Sequence, residues 1–376
     1  MSIHKTPSGT WRVYYRGGGR QRSKNFPTKA DAERFDAEIK TRKVEGRPVT
    51  RRQDAPTLRD FILHWLRGRR DELAPATLQS YAAVMERHVL SEDSVLHGLR
   101  VHASDLRPSV LDDWQRQRLD AGAGRSSVRK AHTVLSQILD AAVLRTDFLE
   151  ANPLAPVKAP KAKRGQPRFL TAVEVERLRR ALVDAGDTGS ATLISVLAYV
   201  GIRPQDALAL EWSHVGTELQ VVQKNTDGQI LPGSKTGEAY RRRVNLPAPV
   251  AADLESWQLE SGGRKHGLIF PRPQDGRPWR SHDYRNWRRR ALDRAADIAG
   301  IGHLKPYALR HTCASLSAAA GWNHLEIARQ LGHSPETSVK VYQHLIPIGF
   351  GERRPIDDWI TEARNQAAVA DMLPQD

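Results

Sequence analysis

The sequence predicts an α+β protein that is mainly helical, and three observations lead to that class. A short N-terminal stretch alternates apolar and polar residues around a run of glycines, which is typical of a small β-sheet. The long stretch that follows spaces its apolar side chains only at helical intervals. Beyond it, helical segments enclose two short strand-like runs, so the last large region is mixed α/β. We therefore expect domains at 1–50, 57–155 and 169–350, a linker at 156–168 and a tail at 351–376.

The N-terminal region predicts a hairpin or three-stranded sheet followed by one helix. Trp11, Val13 and Tyr15 alternate with polar residues, and the glycines at 17–19 suit a turn before a basic run. Thr28 is a suitable helix N-cap, and apolar residues at 32, 35 and 39 share one helical face behind it. A helix this short needs the sheet to cover that face, so the two are expected to form one small domain.

The second region predicts an all-helical domain. Thr57 opens its first helix with Asp60 three residues on, which is a capping-box-like pattern ahead of an apolar stripe. Three more amphipathic stretches follow, and the Asn-Pro pair at 152–153 stops the last of them. Between residues 155 and 168 there are five basic residues and no acidic one. That composition indicates an extended linker suited to lie along a phosphate backbone.

The charge of the chain points to a nucleic-acid partner. Its 58 Lys and Arg against 43 Asp and Glu give a formal net charge of +15, of which residues 1–53 carry +9. Arginines outnumber lysines by 44 to 14, and a guanidinium can fork onto phosphate oxygens where an ammonium acts as a point charge. An arginine-rich soluble protein encoded by a GC-rich genome is the alternative explanation of this balance.

Several classes of protein are excluded or disfavoured by composition. The single cysteine, Cys313, excludes an internal disulfide framework and a multi-cysteine zinc site. The longest nearly apolar stretch, at 191–202, is shorter than the roughly 20 residues that a membrane span needs. The first residues lack the apolar core of a signal peptide, so we expect a cytoplasmic protein.

Four polar clusters in the third region are candidates for chemistry, and the first two lie in its first half. Arg203 lies two residues after Gly201 and directly before Pro204, and a proline there suits the first turn of a helix. Asp206 lies one turn on, where it can orient a guanidinium. An ordinary surface ion pair is the alternative there. Lys235 lies in an expected hairpin, where a lysine can reach a bound substrate and donate a proton. Its alternative is a solvated turn.

The other two clusters lie near the end of the third region. After Pro306, a helix would place Tyr307, Arg310 and His311 on adjoining parts of one face. Farther on, Gly332 ends one helix, and His333 precedes a Ser-Pro pair that caps and starts the next helix. Tyr342 lies on that last helix, where packing is the alternative to a nucleophilic role.

Taken together and in order, these clusters resemble the tyrosine recombinase family, the phage-type integrases. The family pattern is an arginine after a glycine, a hairpin lysine, H-x-x-R, L-G-H and a tyrosine nine residues after that histidine, and Tyr342 follows His333 by nine. The helical region resembles the family's core-binding domain. The motif from Gly9 to Ala32 resembles the small arm-type DNA-binding domain of phage-type integrases.

The resemblance implies a role for each of these side chains. Arg203 and Arg310 would clamp the scissile phosphate, and Tyr342 would attack it to form a 3′-phosphotyrosyl link. Lys235 would act as the general acid, and His333 would hydrogen-bond the phosphate. The remaining roles are support of the nucleophile or phosphate by His311 and orientation of active-site groups by Asp206. No metal, ATP or other cofactor is implied.

The resemblance also implies partners. These are double-stranded DNA with core-type and arm-type sites, three further copies of the chain in a homotetramer, and for some members an excision factor and a host DNA-bending protein. No membrane partner is implied, and the expected location is the nucleoid of a bacterium. The expected function is integration or excision of a mobile element. A chromosomal or plasmid resolvase, a type IB topoisomerase and a DNA-binding protein that has lost catalysis are the alternatives.

Two positions depart from the family pattern. Tyr307 stands where the histidine of H-x-x-R is usual, and Val200 stands where threonine usually precedes the first motif glycine. A tyrosine can hydrogen-bond a phosphate oxygen, but with a pKa near 10 it does not shuttle protons at neutral pH as histidine does. We therefore expect Tyr307 to position the phosphate and acid–base work to fall on Lys235, His333 and His311.

Overall fold

The computed structural model describes residues 2–17, 20–44, 52–162, 168–233, 241–342 and 355–370. Its contacts divide the chain into two compact units, Met1–Arg164 and Gly165–Asp376. The structure is mainly helical with small sheets, which confirms the predicted fold class. Within the described residues, no helix is both long enough and apolar enough to span a membrane.

The first unit begins with the predicted three-stranded sheet and helix. Strands β1 (Ser2–Lys5), β2 (Trp11–Gly17) and β3 (Arg20–Phe26) are antiparallel in the order β1-β2-β3. Helix α1 (Lys29–Val44) packs on the sheet, and its first turn is capped by the Thr28 hydroxyl, which accepts from the Asp31 amide at 3.2 Å. The face of β2 with Val13 is buried against it, as the alternation predicts.

Four helices form the rest of the first unit: α2 (Leu58–Arg67), α3 (Pro75–Met85), α4 (Pro108–Asp120) and α5 (Arg125–Arg145). The Thr57 side chain caps α2 by accepting from the Asp60 amide at 3.0 Å, as the sequence predicts. A π-helical turn at Glu86–Leu90 continues α3. Trp114 is fully buried at the centre and its indole N–H donates to the His88 carbonyl oxygen at 2.6 Å, so the largest core side chain has no unpaired polar atom.

The second unit has ten helices and four strands among its described residues. Its elements are α6 (Ala172–Asp184), α7 (Thr188–Ser195), α8 (Pro204–Ala207), β4 (Glu218–Val221), β5 (Gln223–Thr226), β6 (Gln229–Pro232), β7 (Arg242–Asn245), α9 (Ala248–Glu260), α10 (Ser281–Trp287), α11 (Asp293–Ile298), α12 (Pro306–Ala319), α13 (His324–Leu331), α14 (Pro335–Tyr342) and α15 (Ile356–Ala370). The buried π-helical turn Val196–Val200 continues α7 and packs against α12. This contact brings the end of α7 beside the helix that carries the Arg-His pair.

The strands of the second unit correct the sequence prediction in one respect. The expected pair, β4 with β7, is present, with Leu219 opposite Val244. An additional hairpin, β5 with β6, which the sequence analysis did not predict, lies between them in the sequence. Its turn is made by Asp227 and Gly228, both with positive φ, which is the geometry that an Asp-Gly pair favours.

The tail forms a helix on the second unit. On α15, Ile356, Ile360 and Ala363 are buried in the main core of that unit. Arg364 donates to Asp253 Oδ2 at 2.8 Å and lies 3.4 Å from Glu176 Oε2, both on helices of the same unit. The tail helix therefore packs within its own chain.

Candidate active site

The first arginine of the site is placed by a left-handed glycine at the end of the π-helical turn. Gly201 has φ of +73°, and a Cβ added there would lie 2.6 Å from the Sγ of Cys313. Only glycine therefore combines this turn with the close approach of α12. Arg203 follows in an extended conformation, and its guanidinium donates to the Gly332 carbonyl oxygen at 2.9 Å.

The second arginine is almost completely buried. Arg310 is 1% exposed on α12, and its Nη1 donates to the Gly201 carbonyl oxygen at 2.7 Å. Burial lowers its pKa, and repulsion by Arg203 lowers it further. A guanidinium stays charged at any physiological pH, so this pair holds concentrated positive charge at one place. Such charge favours an anionic ligand.

Tyr342 lies beside His311 at the base of the site. Its hydroxyl is 2.8 Å from Nδ1 of His311, and the side chain is 3% exposed in an apolar cluster that includes Cys313 and Leu331. Burial raises the pKa of Tyr342 to about 12. Burial also lowers the pKa of His311 below its usual 6.5. At neutral pH the phenol is thus protonated and the imidazole neutral, which is the pairing that a nucleophile needs with its base.

His333 covers the other side of Tyr342. The two rings are stacked with centroids 6.1 Å apart, and His333 Nδ1 lies 3.1 Å from the Ser334 carbonyl oxygen. Because a carbonyl oxygen only accepts, Nδ1 carries the proton, and Nε2 of the neutral ring is an acceptor. Nε2 is buried and has no hydrogen-bond partner among the described residues. Burial lowers the pKa of His333, so it too is neutral at pH 7 in the absence of a ligand.

Asp206, which we expected to orient active-site groups, has its carboxylate between two guanidiniums. Asp206 is 2% exposed, and its Oδ2 is 3.8 Å from Arg203 Nη1 and 3.6 Å from Arg242 Nη2. Arg242 is a site residue that the sequence analysis missed. The sequence contains the run Arg241–Arg243, but the run does not indicate which of the three side chains points into the site. Alternation along β7 identifies that side chain once the register of the strand is known.

Tyr307 lies at the open edge of the site. It is 47% exposed, its ring is 5.3 Å from that of His311 in an edge-to-face arrangement, and the Arg310 guanidinium carbon lies 5.9 Å from its ring centroid. The ring therefore packs on the two residues that follow it by three and four positions, as predicted from the helix. Lys235 lies outside the described residues. The other seven predicted residues come together: Arg203, Asp206, Tyr307, Arg310, His311, His333 and Tyr342.

Comparison with known proteins supports the resemblance that the motifs indicate. Residues 168–347 match the phage integrase family. It is 27% identical over 204 residues to tyrosine recombinase XerC of Xanthomonas campestris pv. campestris (strain B100). That match takes in 54% of this chain and 59% of the relative, so the chain spans well under two thirds of the relative's length. XerC of Corynebacterium efficiens is 26% identical over 62% of this chain and 72% of its own.

Solved structures share the fold. A Tn1549 transposon integrase fragment (residues 82–397) in complex with transposon right end DNA superposes with a TM-score of 0.64, covering 84% of this chain and 98% of that one at 15% identity. A λ integrase tetramer bound to a Holliday junction superposes with a TM-score of 0.61, covering 94% of this chain and 97% of that one at 16% identity. At these identities the likeness concerns the fold.

Proposed function

We propose that this chain is a site-specific DNA recombinase that integrates or excises a mobile element through a 3′-phosphotyrosyl intermediate, with neither metal nor ATP. The observation that carries the proposal is the hydroxyl of Tyr342 at 2.8 Å from His311, beside two arginines held by backbone carbonyls of one site. In this proposal the chain acts as a homotetramer on double-stranded DNA, since a λ integrase of the same fold was solved as a tetramer on a Holliday junction.

The first role of the site is to neutralise the phosphodiester. Its negative charge repels nucleophiles, and Arg203 and Arg310 would bind the nonbridging oxygens and stabilise the additional charge of the pentacoordinate transition state. Arg310 already donates to a backbone carbonyl, so its position is fixed before the DNA binds. Such preorganised donors act mainly on the rate.

The second role is proton transfer. As the Tyr342 oxygen bonds to phosphorus, its proton passes to Nδ1 of neutral His311 and the bond from phosphorus to the 5′-oxygen breaks. We assign the proton for that leaving oxygen to Lys235, on the family resemblance alone. Religation is the reverse: a 5′-hydroxyl from another strand attacks phosphorus, and the phenol recovers its proton. The bond energy is kept in the phosphotyrosyl link, so no ATP is required.

His333 would contribute to phosphate binding only after taking up a proton. Nδ1 donates to a backbone carbonyl, so Nε2 can donate to a phosphate oxygen only in the imidazolium form. The negative charge of the bound phosphate raises the pKa of a neighbouring histidine and favours that form. Tyr307 would add a hydrogen bond from the open edge of the site.

A resolvase acting on chromosomes or plasmids is the second candidate, because the curated relatives found by sequence are XerC recombinases. The structural likeness to λ integrase extends over 94% of this chain, a share too large to omit the whole N-terminal module. We favour the integrase for that reason, with arm-type DNA as the target of the module and an excision factor and a DNA-bending protein as further partners.

The test is a nicked suicide duplex that carries a boundary sequence of the element encoding the chain. The short strand 3′ of the cleavage site diffuses away, so a covalent adduct accumulates. We expect an adduct with the wild type and with Tyr81→Phe, a control tyrosine in the helical unit, in buffer containing EDTA. Tyr342→Phe should give no adduct. An adduct that persists in Tyr342→Phe, or none with the wild type, contradicts the proposed function.

A further inference from the structure

Arg242 occupies the centre of the site although it lies on a strand with no other role there. It is the first residue of β7 and pairs with Val221 of β4. Its side chain is 9% exposed, whereas the neighbouring Arg243 is exposed on the opposite face of the strand. A guanidinium is costly to bury, so its position requires specific partners.

Arg242 has partners in the Leu-Gly-His turn and in α8. Nη2 donates to the Leu331 carbonyl oxygen at 3.3 Å and lies 3.6 Å from Asp206 Oδ2. The guanidinium also fills the space beneath Gly332, where an added Cβ would lie 2.5 Å from its Cζ. The same Gly332 offers its carbonyl oxygen to Arg203. One side chain thus supports the turn that holds the first catalytic arginine.

The Asp206 carboxylate lies near both the Arg242 and the Arg203 guanidinium. Both distances, 3.6 and 3.8 Å, are longer than a direct charge-assisted hydrogen bond of about 2.8 Å. Arg203 is therefore attracted by the carboxylate without being bound tightly to it. If the positive charge of Arg242 were removed, a carboxylate buried in low dielectric would attract Arg203 more strongly. A tighter ion pair would withdraw Arg203 from the phosphate.

We propose that Arg242 is a positioning residue that shares the Asp206 carboxylate, keeps Arg203 available to the scissile phosphate, and supports the turn that carries His333. This inference rests on the proposed function of the site. Arg242 acts on the nonbridging side of the phosphate through Arg203, and proton donation to the leaving oxygen is independent of it.

The test compares single-turnover cleavage of the suicide duplex, at saturating protein, by four variants. Arg242→Met should slow cleavage by about 10–100-fold, because it removes one well-placed charge interaction. The double variant Arg242→Met with Asp206→Asn should cleave at least about tenfold faster than Arg242→Met alone. The residue that captures Arg203 is then a neutral amide. Arg242→Lys should lie between the wild type and Arg242→Met. Arg243→Met, the exposed neighbour, should cleave at the wild-type rate.

Three outcomes would overturn the inference. If Arg242 only maintained the fold, Asp206→Asn would add to the damage, and the double variant would be slower than Arg242→Met. Equal rates for wild type and Arg242→Met would also contradict it, whereas absence of any wild-type adduct contradicts the proposed function instead. Last, a 5′-bridging phosphorothiolate, whose sulfur leaves without a proton, should not rescue Arg242→Met; rescue would place Arg242 on the leaving-group side.

Discussion

At the scale of single residues, the proposed mechanism makes cleavage depend on the protonation state of His311. Its pKa is lowered by burial, and it is lowered further by the positive charge of Arg310. The imidazole is therefore neutral at and above its usual pKa of 6.5, and it takes up a proton only in more acidic solution. A protonated His311 has no lone pair on Nδ1 for the Tyr342 proton.

The rate of cleavage should follow that titration. We expect a single-turnover rate that falls in acidic solution, as the pH decreases through the lowered pKa of His311. His311→Gln keeps a polar side chain but does not accept a proton, so it should slow cleavage about 10²–10⁴-fold and remove the acid limb. A pH–rate profile of both proteins checks this. An acid limb that is the same in His311→Gln as in the wild type would contradict the role of His311 as a base.

Tyr307 should tolerate substitution better than its neighbours. Tyr307→Phe keeps the ring that packs on His311 and loses a single hydroxyl at the exposed edge, so cleavage should slow by no more than about tenfold, the value of one hydrogen bond. Tyr307→Ala also removes the packing and should be slower than Tyr307→Phe. Single-turnover rates at saturating protein make the comparison. A loss above 10³-fold in Tyr307→Phe would indicate that its hydroxyl takes part directly in proton transfer.

At the scale of elements, the left-handed turn between the end of α7 and α8 holds the two arginines together. Gly201 and Gly186 have the same φ of +73°, but a Cβ on Gly186 meets nothing within 4 Å. Gly186→Ala should therefore cost about 1–2 kcal/mol of unfolding free energy, for conformation alone. Gly201→Ala should cost at least about 1–3 kcal/mol more, because the added methyl overlaps Cys313.

Urea unfolding of both glycine variants provides the measurement, with the midpoint and its slope compared with the wild type. The carbonyl oxygen of Gly201 also accepts a hydrogen bond from Arg310. Per folded molecule, Gly201→Ala should therefore cleave more slowly than Gly186→Ala. Equal stability of the two variants would show that α12 moves aside to admit the methyl group.

Local patterns were sufficient to predict most elements and not all of them. The caps at Thr28 and Thr57 and the glycine stop at 332 depend on adjacent residues, so the sequence predicts them and the structure confirms them. The β5–β6 hairpin has short strands without alternation of apolar and polar residues, since β5 is wholly polar and β6 has only the adjacent Ile230 and Leu231. Its Asp-Gly turn was the signal that could have indicated it. Its strands are stabilised by pairing, which is not a local property.

The same distinction applies to the site. Helix spacing places Tyr307, Arg310 and His311 on one face, and the motif order indicates which residues meet. The contact of Tyr342 with His311, and the position of Arg242 beneath Gly332, depend on how α12, α14 and β7 pack. Those distances come from tertiary structure, so the sequence could not supply them.

At the scale of the whole molecule, we expect the positive charge of the N-terminal module and that of the site to serve different functions. Residues 1–53 carry 14 basic and 5 acidic residues, far from the catalytic cluster in the sequence. If this module binds arm-type DNA, its contribution is affinity, which salt weakens by counterion release. The arginines of the site should instead affect the rate when the DNA is already bound.

Deletion of residues 1–53 should therefore separate two activities. We expect recombination between two duplex sites to be lost, the salt dependence of DNA binding to become less steep, and cleavage of the nicked suicide duplex to continue. Gel-shift titrations at several salt concentrations and a two-plasmid recombination assay measure these effects. Unchanged recombination by the shortened chain would remove the case for arm binding and favour a resolvase.

The most direct measurement of the proposed chemistry is the identity of the amino acid joined to DNA. The wild-type adduct from the suicide duplex would be digested with protease and nuclease, and the nucleotide-bearing peptide sequenced by mass spectrometry. The phosphate should be the 3′-phosphate of the cleaved strand and should be esterified to Tyr342. Attachment to the exposed Tyr307, or a 5′-phosphate in the adduct, would contradict the assignment of the nucleophile.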